Sequence, residues 1–263
     1  MIANPTERFS GRAECYRRYR PGYPPEVVEW LRAECGLRDD ATVVDVAAGT
    51  GLLTEIFLAA GFAVTAVEPN NEMRAACAAL EAKYAKLRCV VGKAEATGLQ
   101  DASAELITVA QAMHWFDLER TRAEFSRILK PDGGCAVIYN NRRLGGDAFH
   151  DGYERLLREF GVDYMNVKEQ HMGRKRLARF FAPAEMHCEV FPNAQSLTLE
   201  ALEGRILSSS YIPQPGHPRF AGMQAAIRQL FADTEQDGAV TIEYDCVACW
   251  GVLAARANAP SAH

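Results

Sequence analysis

The residues best able to act together on a ligand are an aspartate, two glycines and a glutamate in the first third of the chain. Asp45, Gly49 and Gly51 fall in Val43-Val-Asp-Val-Ala-Ala-Gly-Thr-Gly51, and Glu68 follows Asp45 by 23 positions. Glycines at a strand-to-helix bend let backbone approach a ligand that a Cβ would hold off. A carboxylate just below such a bend repels a pyrophosphate and attracts a cation. The spacing also fails as a dinucleotide fingerprint, because the third glycine position counted from Gly49 holds Thr54. Glu68 closes the next apolar run, where a carboxylate can accept from both hydroxyls of a ribose. Each such bond to a charged group is worth roughly 1.5–3 kcal/mol.

Two later loops add polar groups. Gly92-Lys-Ala94-Glu95 offers a carboxylate or a carbonyl to an adenine amino group. Gln111-Ala-Met-His114-Trp115-Phe116 is polar and aromatic, and His114 is the side-chain type that titrates nearest neutrality. His114 is read as a base or, with Trp115, as a pocket wall. S-adenosylmethionine carries a sulfonium, an ammonium and a ribose, and this set of groups suits it.

Those loops need elements to position them. Apolar periodicity predicts strands at 42–46, 63–67, 87–91, 106–110 and 135–139. Helical spacing over 52–60, 71–82 and 118–129 falls between them, with Gly61 as a stop signal and Lys130-Pro-Asp-Gly-Gly134 as a turn. Alternating strands and helices predict a parallel sheet covered on both faces. Ligands in such sheets bind beyond the carboxyl ends of the strands. Past Tyr139 the pattern predicts helices at 147–160, 167–181, 199–208 and 220–231, and strands at 187–191 and 240–253.

The chain resembles the class I methyltransferases of the type 11, ubiquinone-biosynthesis and trans-aconitate methyltransferase kind. The resemblance rests on Asp45-Val-Ala-Ala-Gly-Thr-Gly51, Val67-Glu-Pro69, Gly92-Lys-Ala-Glu95, Ala110-Gln-Ala-Met-His-Trp115 and Arg127-Ile-Leu-Lys-Pro-Asp-Gly-Gly134, over about residues 40–140. The flanks Tyr16-Arg-Arg-Tyr19-Arg-Pro-Gly-Tyr23 and Ser208-Ser-Ser-Tyr211-Ile-Pro213 share it. It implies a doubly wound, mostly parallel seven-stranded α/β sheet of Rossmann-like type. It implies one domain over 1–263, with an N-terminal cap at 14–38, a cofactor core at 40–140, and helical insertions at 143–186 and 198–233 on the substrate side.

The resemblance further implies S-adenosyl-L-methionine as cofactor and a small-molecule methyl acceptor. O-methylation of a carboxylate is the leading expectation. O-, N- or C-methylation of a phenol or quinone precursor, and a non-catalytic cofactor-binding regulator, are the alternatives. Asp45, Ala47, Gly49 and Gly51 are implied at the methionine end, Glu68 at the ribose, Met73, Ala94 and Glu95 at adenine, and Gln111 beneath the sulfonium. Tyr16 and Tyr19 are implied as a lid. Trp115, Asn140, Arg142 and Tyr211 are expected on the substrate side. Ala47 stands where the family often has glycine, and an alanine there is expected to keep ordinary backbone angles.

With 34 acidic against 29 basic residues, the net charge of -5 gives no electrostatic reason to expect nucleic acid as a partner. No apolar run is long enough to span a membrane, and Met1-Ile-Ala-Asn-Pro-Thr-Glu-Arg8 lacks the order of a signal peptide, so the cytoplasm is the expected location. The eight cysteines are expected to be reduced, small apolar residues. Cys246-Val-Ala-Cys249 has no second pair or nearby histidines, so no metal is expected. Asn258–His263 is expected to be a loose tail.

Overall fold

The computed structural model describes residue 11 and residues 13–169 and 173–253. The segment read for a signal peptide and the expected tail lie outside the described residues. Two short helices, α1 (Ala13–Tyr19) and α2 (Glu26–Cys35), precede the alternating core. The core runs β1 (Thr42–Val46), α3 (Leu52–Ala59), β2 (Ala63–Val67), α4 (Asn71–Ala78), β3 (Leu87–Val90), β4 (Ala104–Ala110), α5 (Leu118–Ile128) and β5 (Leu129–Arg142). The rest is α6 (Ala148–Phe160), α7 (Tyr164–Glu169), α8 (Arg174–Phe181), β6 (His187–Leu197), α9 (Leu199–Leu207), α10 (Phe220–Thr234) and β7 (Val240–Val252).

The strands form one seven-stranded sheet in the order β3-β2-β1-β4-β5-β7-β6. The first five are parallel, β7 is antiparallel to β5, and β6 is antiparallel to β7. The strand order reverses between β1 and β4, which opens a crevice beyond their carboxyl ends. β-branched residues fill β1 because both of its faces are covered. Val43 packs with Leu31, Phe57 and Leu106 on one side, and Val44 packs with Phe125, Ile128 and Val137 on the other. A third apolar cluster joins α6, α9 and α10 to the ends of β6 and β7, through Tyr153, Leu202, Ile227 and Tyr244.

Four expectations need correction. First, Ala47 does not keep ordinary angles: its φ is +56°. Second, residues 130–134 do not form a separate turn before the strand, because β5 already starts at Leu129. β5 pairs Leu129 with Ala104 and Gly134 with Leu106, so the turn residues bulge out of a continuous β5. Third, 167–181 is not one helix. α7 and α8 are separate, and α8 sends Leu177, Phe180 and Phe181 into a sheet face rather than toward a substrate. Fourth, two cysteines are not reduced. Cys188 and Cys249 are registered neighbours on β6 and β7 and form a disulfide, while Cys246 is free and buried.

No helix among the described residues is long and apolar enough to cross a membrane, and among them no cluster of residues could hold a metal ion.

The bend after β1 depends on glycine at position 51. Gly51 has φ +83°, and an added Cβ would lie 2.8 Å from Cys77 Sγ and 2.9 Å from Leu80 Cδ1. Gly51→Ala should therefore destabilise the protein by about 1–3 kcal/mol, read as a lowered urea midpoint at unchanged slope. A midpoint equal to the parent's would show that the turn yields without strain.

Candidate active site

The crevice is built first from backbone. Ala48 N–H donates to the Val67 carbonyl at 3.2 Å, which ties the bend after β1 to the end of β2. Ala47 (φ +56°), Gly49 (φ +57°) and Gln111 (φ +57°) are left-handed around it. Two of these are not glycine, and such backbone is held only where its surroundings enforce it. Asp45 lies beneath the bend, buried. The Thr54 hydroxyl donates to its Oδ2 at 2.6 Å, and the Thr108 hydroxyl donates to its Oδ1 at 3.0 Å.

Glu68 is buried at the tip of β2. Its Oε2 accepts from Gly49 N–H at 2.9 Å and its Oε1 from Asn70 N–H at 2.8 Å. Burial pushes its carboxyl above the usual range, against those two bonds and the nearby Arg74 charge. Asn70 caps α4 by accepting from the N–H groups of Glu72 and Met73, which fixes Met73 behind Glu68. An Asn just before a helix was a readable cap signal that the sequence reading passed over.

A cavity of about 290 Å³ opens above these groups. Of the expected residues, Tyr16, Ala47, Gly49, Glu68 and Met73 line it, as do Ala94, Glu95, Gln111 and Trp115. Pro69, Asn70, Lys93, Ala112 and Phe116 complete it. Three expected residues are placed elsewhere. Asp45 and Gly51 lie under the bend rather than in the cavity wall. Tyr19 turns away: its hydroxyl donates to Glu200 at 2.9 Å, and its ring packs on Gly204 of α9.

A second cavity of about 370 Å³ adjoins the first, and Tyr16, Gln111 and Trp115 border both. His114, Asn140, Arg142 and Tyr211 line it as expected. The Asn140 side chain already donates to the Gly22 carbonyl at 3.0 Å and accepts from Asn193 at 3.0 Å, so its amide anchors the N-terminal segment. Arg142 pairs with Glu154 at 2.6 Å and lies over the Tyr153 ring at 4.7 Å. Arg20, Tyr153, Arg205 and Tyr244 also line this cavity and were not singled out from sequence. One signal was available: Arg205 sits among Leu202 and Ile206 on the buried stripe of α9.

A model of a methyltransferase domain matches residues 44–137. An uncharacterized methyltransferase of Mycobacterium tuberculosis is 33% identical over 227 residues, 85% of this chain and 85% of its own length. The chain belongs to the class I S-adenosylmethionine-dependent methyltransferases. Solved structures share the fold. A protein assigned provisionally as a type II methyltransferase from Anaeromyxobacter dehalogenans has a TM-score of 0.67 at 22% identity, covering 89% of this chain and 98% of that one. Phosphoethanolamine N-methyltransferase 2 of Haemonchus contortus has a TM-score of 0.54 at 11% identity, covering 92% of this chain and 55% of that one.

This methyltransferase uses S-adenosylmethionine to methylate a small molecule. The first cavity fits that cofactor on three observations. A Cβ added at Gly49 meets nothing within 4 Å and would fill the cradle. Glu68 puts a buried carboxylate, suited to ribose hydroxyls, in the cavity wall. Met73, Pro69, Ala112 and Phe116 give an apolar slot for a flat base.

Burial pushes the Asp45 carboxyl from its ordinary 3.8 up to about 6, despite its two hydroxyl bonds, and the Glu68 charge adds to the rise. A raised folded pKa means that the folded state favours the proton. The stabilisation is complete below pH about 3.8 and is lost as pH rises through about 6. A shift of this size corresponds to roughly 3 kcal/mol. Asp45→Asn in the cofactor-free protein should therefore gain stability relative to the parent as pH rises from 4 to 7, by up to that amount. Denaturant unfolding of both proteins across this range checks it. A difference independent of pH would mean that burial does not raise the Asp45 pKa above its unfolded value.

Proposed function

We propose that this methyltransferase transfers a methyl group to a carboxylate oxygen of a small acidic acceptor held in the second cavity. One observation carries the reading. Arg20, Arg142 and Arg205 line that cavity, and among the described residues only Arg142 forms an ion pair. Guanidinium groups without a counter-charge on a cavity wall favour an anionic guest.

On this reading the two cavities divide the work. Glu68 holds the ribose hydroxyls, and Asp45, below the bend, supplies negative field toward the cationic end. Glu95 retains an oxygen for the adenine edge while accepting from Asp117 N–H at 2.9 Å. Tyr16, Gln111 and Trp115 form the shared border at which donor and acceptor meet. When bound, the cofactor would supply a methyl already activated by its sulfonium, and the shared border would hold the acceptor oxygen in line with it. Orientation and exclusion of water are then the protein's main contribution, and well-aligned reactants gain about 7–11 kcal/mol in this way. A carboxylate arrives ionised at neutral pH, so no base is needed. His114 then acts as wall, its ring centred 4.5 Å from that of Trp115.

Two outcomes test this. Labelled methyl donor incubated with a panel of carboxylic acids, phenols and amines should label acids alone, and mild alkali should release the label as methanol. Label stable to alkali would overturn ester formation. Glu68→Gln should weaken S-adenosylhomocysteine binding by about tenfold to a hundredfold in calorimetry, the equivalent of one charged hydrogen bond. Affinity within twofold of the parent would remove Glu68 from the ribose.

A further inference from the structure

One stretch, residues 16–23, supplies both cavities. Tyr16 lines the two of them, and Arg20, Pro21 and Tyr23 line the second. Its own structure does little to fix it. α1 has no fully buried residue. Tyr19-Arg-Pro-Gly-Tyr-Pro-Pro25 cannot pair along its length as a strand, because its three prolines have no N–H to donate. Something outside the stretch must therefore satisfy its carbonyls and hold it in place.

β6 does so with side chains. It lies at one edge of the sheet, and Phe191, Asn193 and Gln195, two residues apart, share a face of it. Each meets the N-terminal part of the chain. The Phe191 ring is centred 6.1 Å from that of Trp30 on α2. Asn193 Nδ2 donates to the Gly22 carbonyl at 2.9 Å and to Asn140 Oδ1 at 3.0 Å. Gln195 Nε2 donates to the Tyr19 carbonyl at 2.8 Å, and its Oε1 accepts from the Tyr244 hydroxyl at 3.4 Å. Tyr19 ends α1, so its carbonyl is one of those a helix leaves without an internal donor. Asn140 and Tyr244 line the second cavity. Each amide of β6 thus ties one carbonyl of the stretch to one residue of the cavity wall. Asn140 donates to the same Gly22 carbonyl at 3.0 Å, and its own carbonyl accepts from Gln111 Nε2 at 3.3 Å. A run of neutral amides therefore reaches from the sheet edge to Gln111, at the border of the two cavities. Asn193 and Gln195 are half-buried and line neither cavity.

We infer that Asn193 and Gln195 are positioning residues for methyl transfer: from outside the site they latch residues 19–22 to the cavity wall and so hold Tyr16 at the border of the two cavities. The latch asks nothing of the acceptor's chemistry, so it stands or falls apart from carboxylate methylation.

The test is the rate at which labelled S-adenosylhomocysteine leaves the protein under an unlabelled chase. Gln195→Glu keeps the size of the side chain but, ionised at pH 7.5, has no proton for the Tyr19 carbonyl. Release should be about threefold to tenfold faster than from the parent, the worth of one neutral hydrogen bond. As pH falls to 4.5 the glutamic acid regains a proton to donate, and the ratio to the parent should fall toward one. Gln195→Ala should stay fast at both pH values, and Asn193→Asp should follow Gln195→Glu. A second measurement needs no ligand. In the ligand-free proteins at pH 7.5, trypsin should cut after Arg17 or Arg18 about threefold or more faster in each variant than in the parent, because cleavage there follows opening of the segment. Release within about 1.5-fold of the parent in all three variants, or cleavage no faster than the parent's, would overturn the latch. So would a Gln195→Glu ratio that is the same at pH 7.5 and 4.5, which would mean that the side chain matters for packing and not as a donor. Alkali-stable label in the acceptor panel would sink ester formation and leave these rates as expected.

Discussion

A carboxylate buried in the centre of the sheet, with two threonine hydroxyls as its partners, is the constraint around which the molecule is organised. Asp45 is the last residue but one of β1, the strand at which the order reverses. Its hydrogen bonds come from Thr108 on β4 and Thr54 on α3, and Asp45 and Thr108 are register partners. The charge is therefore held by the central strand, its neighbour and the following helix together. The Glu68 charge adds to the cost of ionising Asp45. On the proposed reading, a cationic ligand above the bend relieves that cost.

The same electrostatics divides the two cavities. One is floored by acids and the other is walled by arginines, with Tyr16, Gln111 and Trp115 between them. On the proposed reading, transfer from a sulfonium to a carboxylate destroys one positive and one negative charge. Such a reaction gains from a dry site, because a low dielectric penalises the separated charges more than the neutral products. On that reading, the arginines raise the local concentration of the anion.

The donor side was legible in sequence because its chemistry is local. Asp45, Gly49 and Gly51 lie on one loop, and Glu68, Glu95 and Gln111 each end or follow a strand, so strand periodicity alone brings them to one edge. The second cavity takes Arg20, Tyr153, Arg205 and Tyr244 from the exit of α1, α6, α9 and β7. No spacing links them, and only tertiary packing makes them neighbours. The left-handed Ala47 escaped for another reason: side-chain type sets a preference for φ, and the hydrogen bond from Ala48 to Val67 overrides it. The Cys188–Cys249 pair depends on the register between β6 and β7, which hydrophobic pattern fixes to a face but not to a residue.

The way α1 is held follows from where it sits. It borders both cavities through Tyr16, yet none of its residues is fully buried. Polar contacts hold it: Arg17 donates to the Thr50 carbonyl at 2.7 Å and pairs with Glu55 at 3.0 Å, Gln195 donates to the Tyr19 carbonyl at 2.8 Å, and Arg18 pairs with Glu200 at 3.1 Å. Partly exposed pairs of this kind contribute about 0–1 kcal/mol each. A helix sunk into the core by several leucines would cost far more to lift. The segment that borders both cavities is therefore held by polar contacts, while little apolar burial opposes its release. A segment held in this way moves at less cost than the core does.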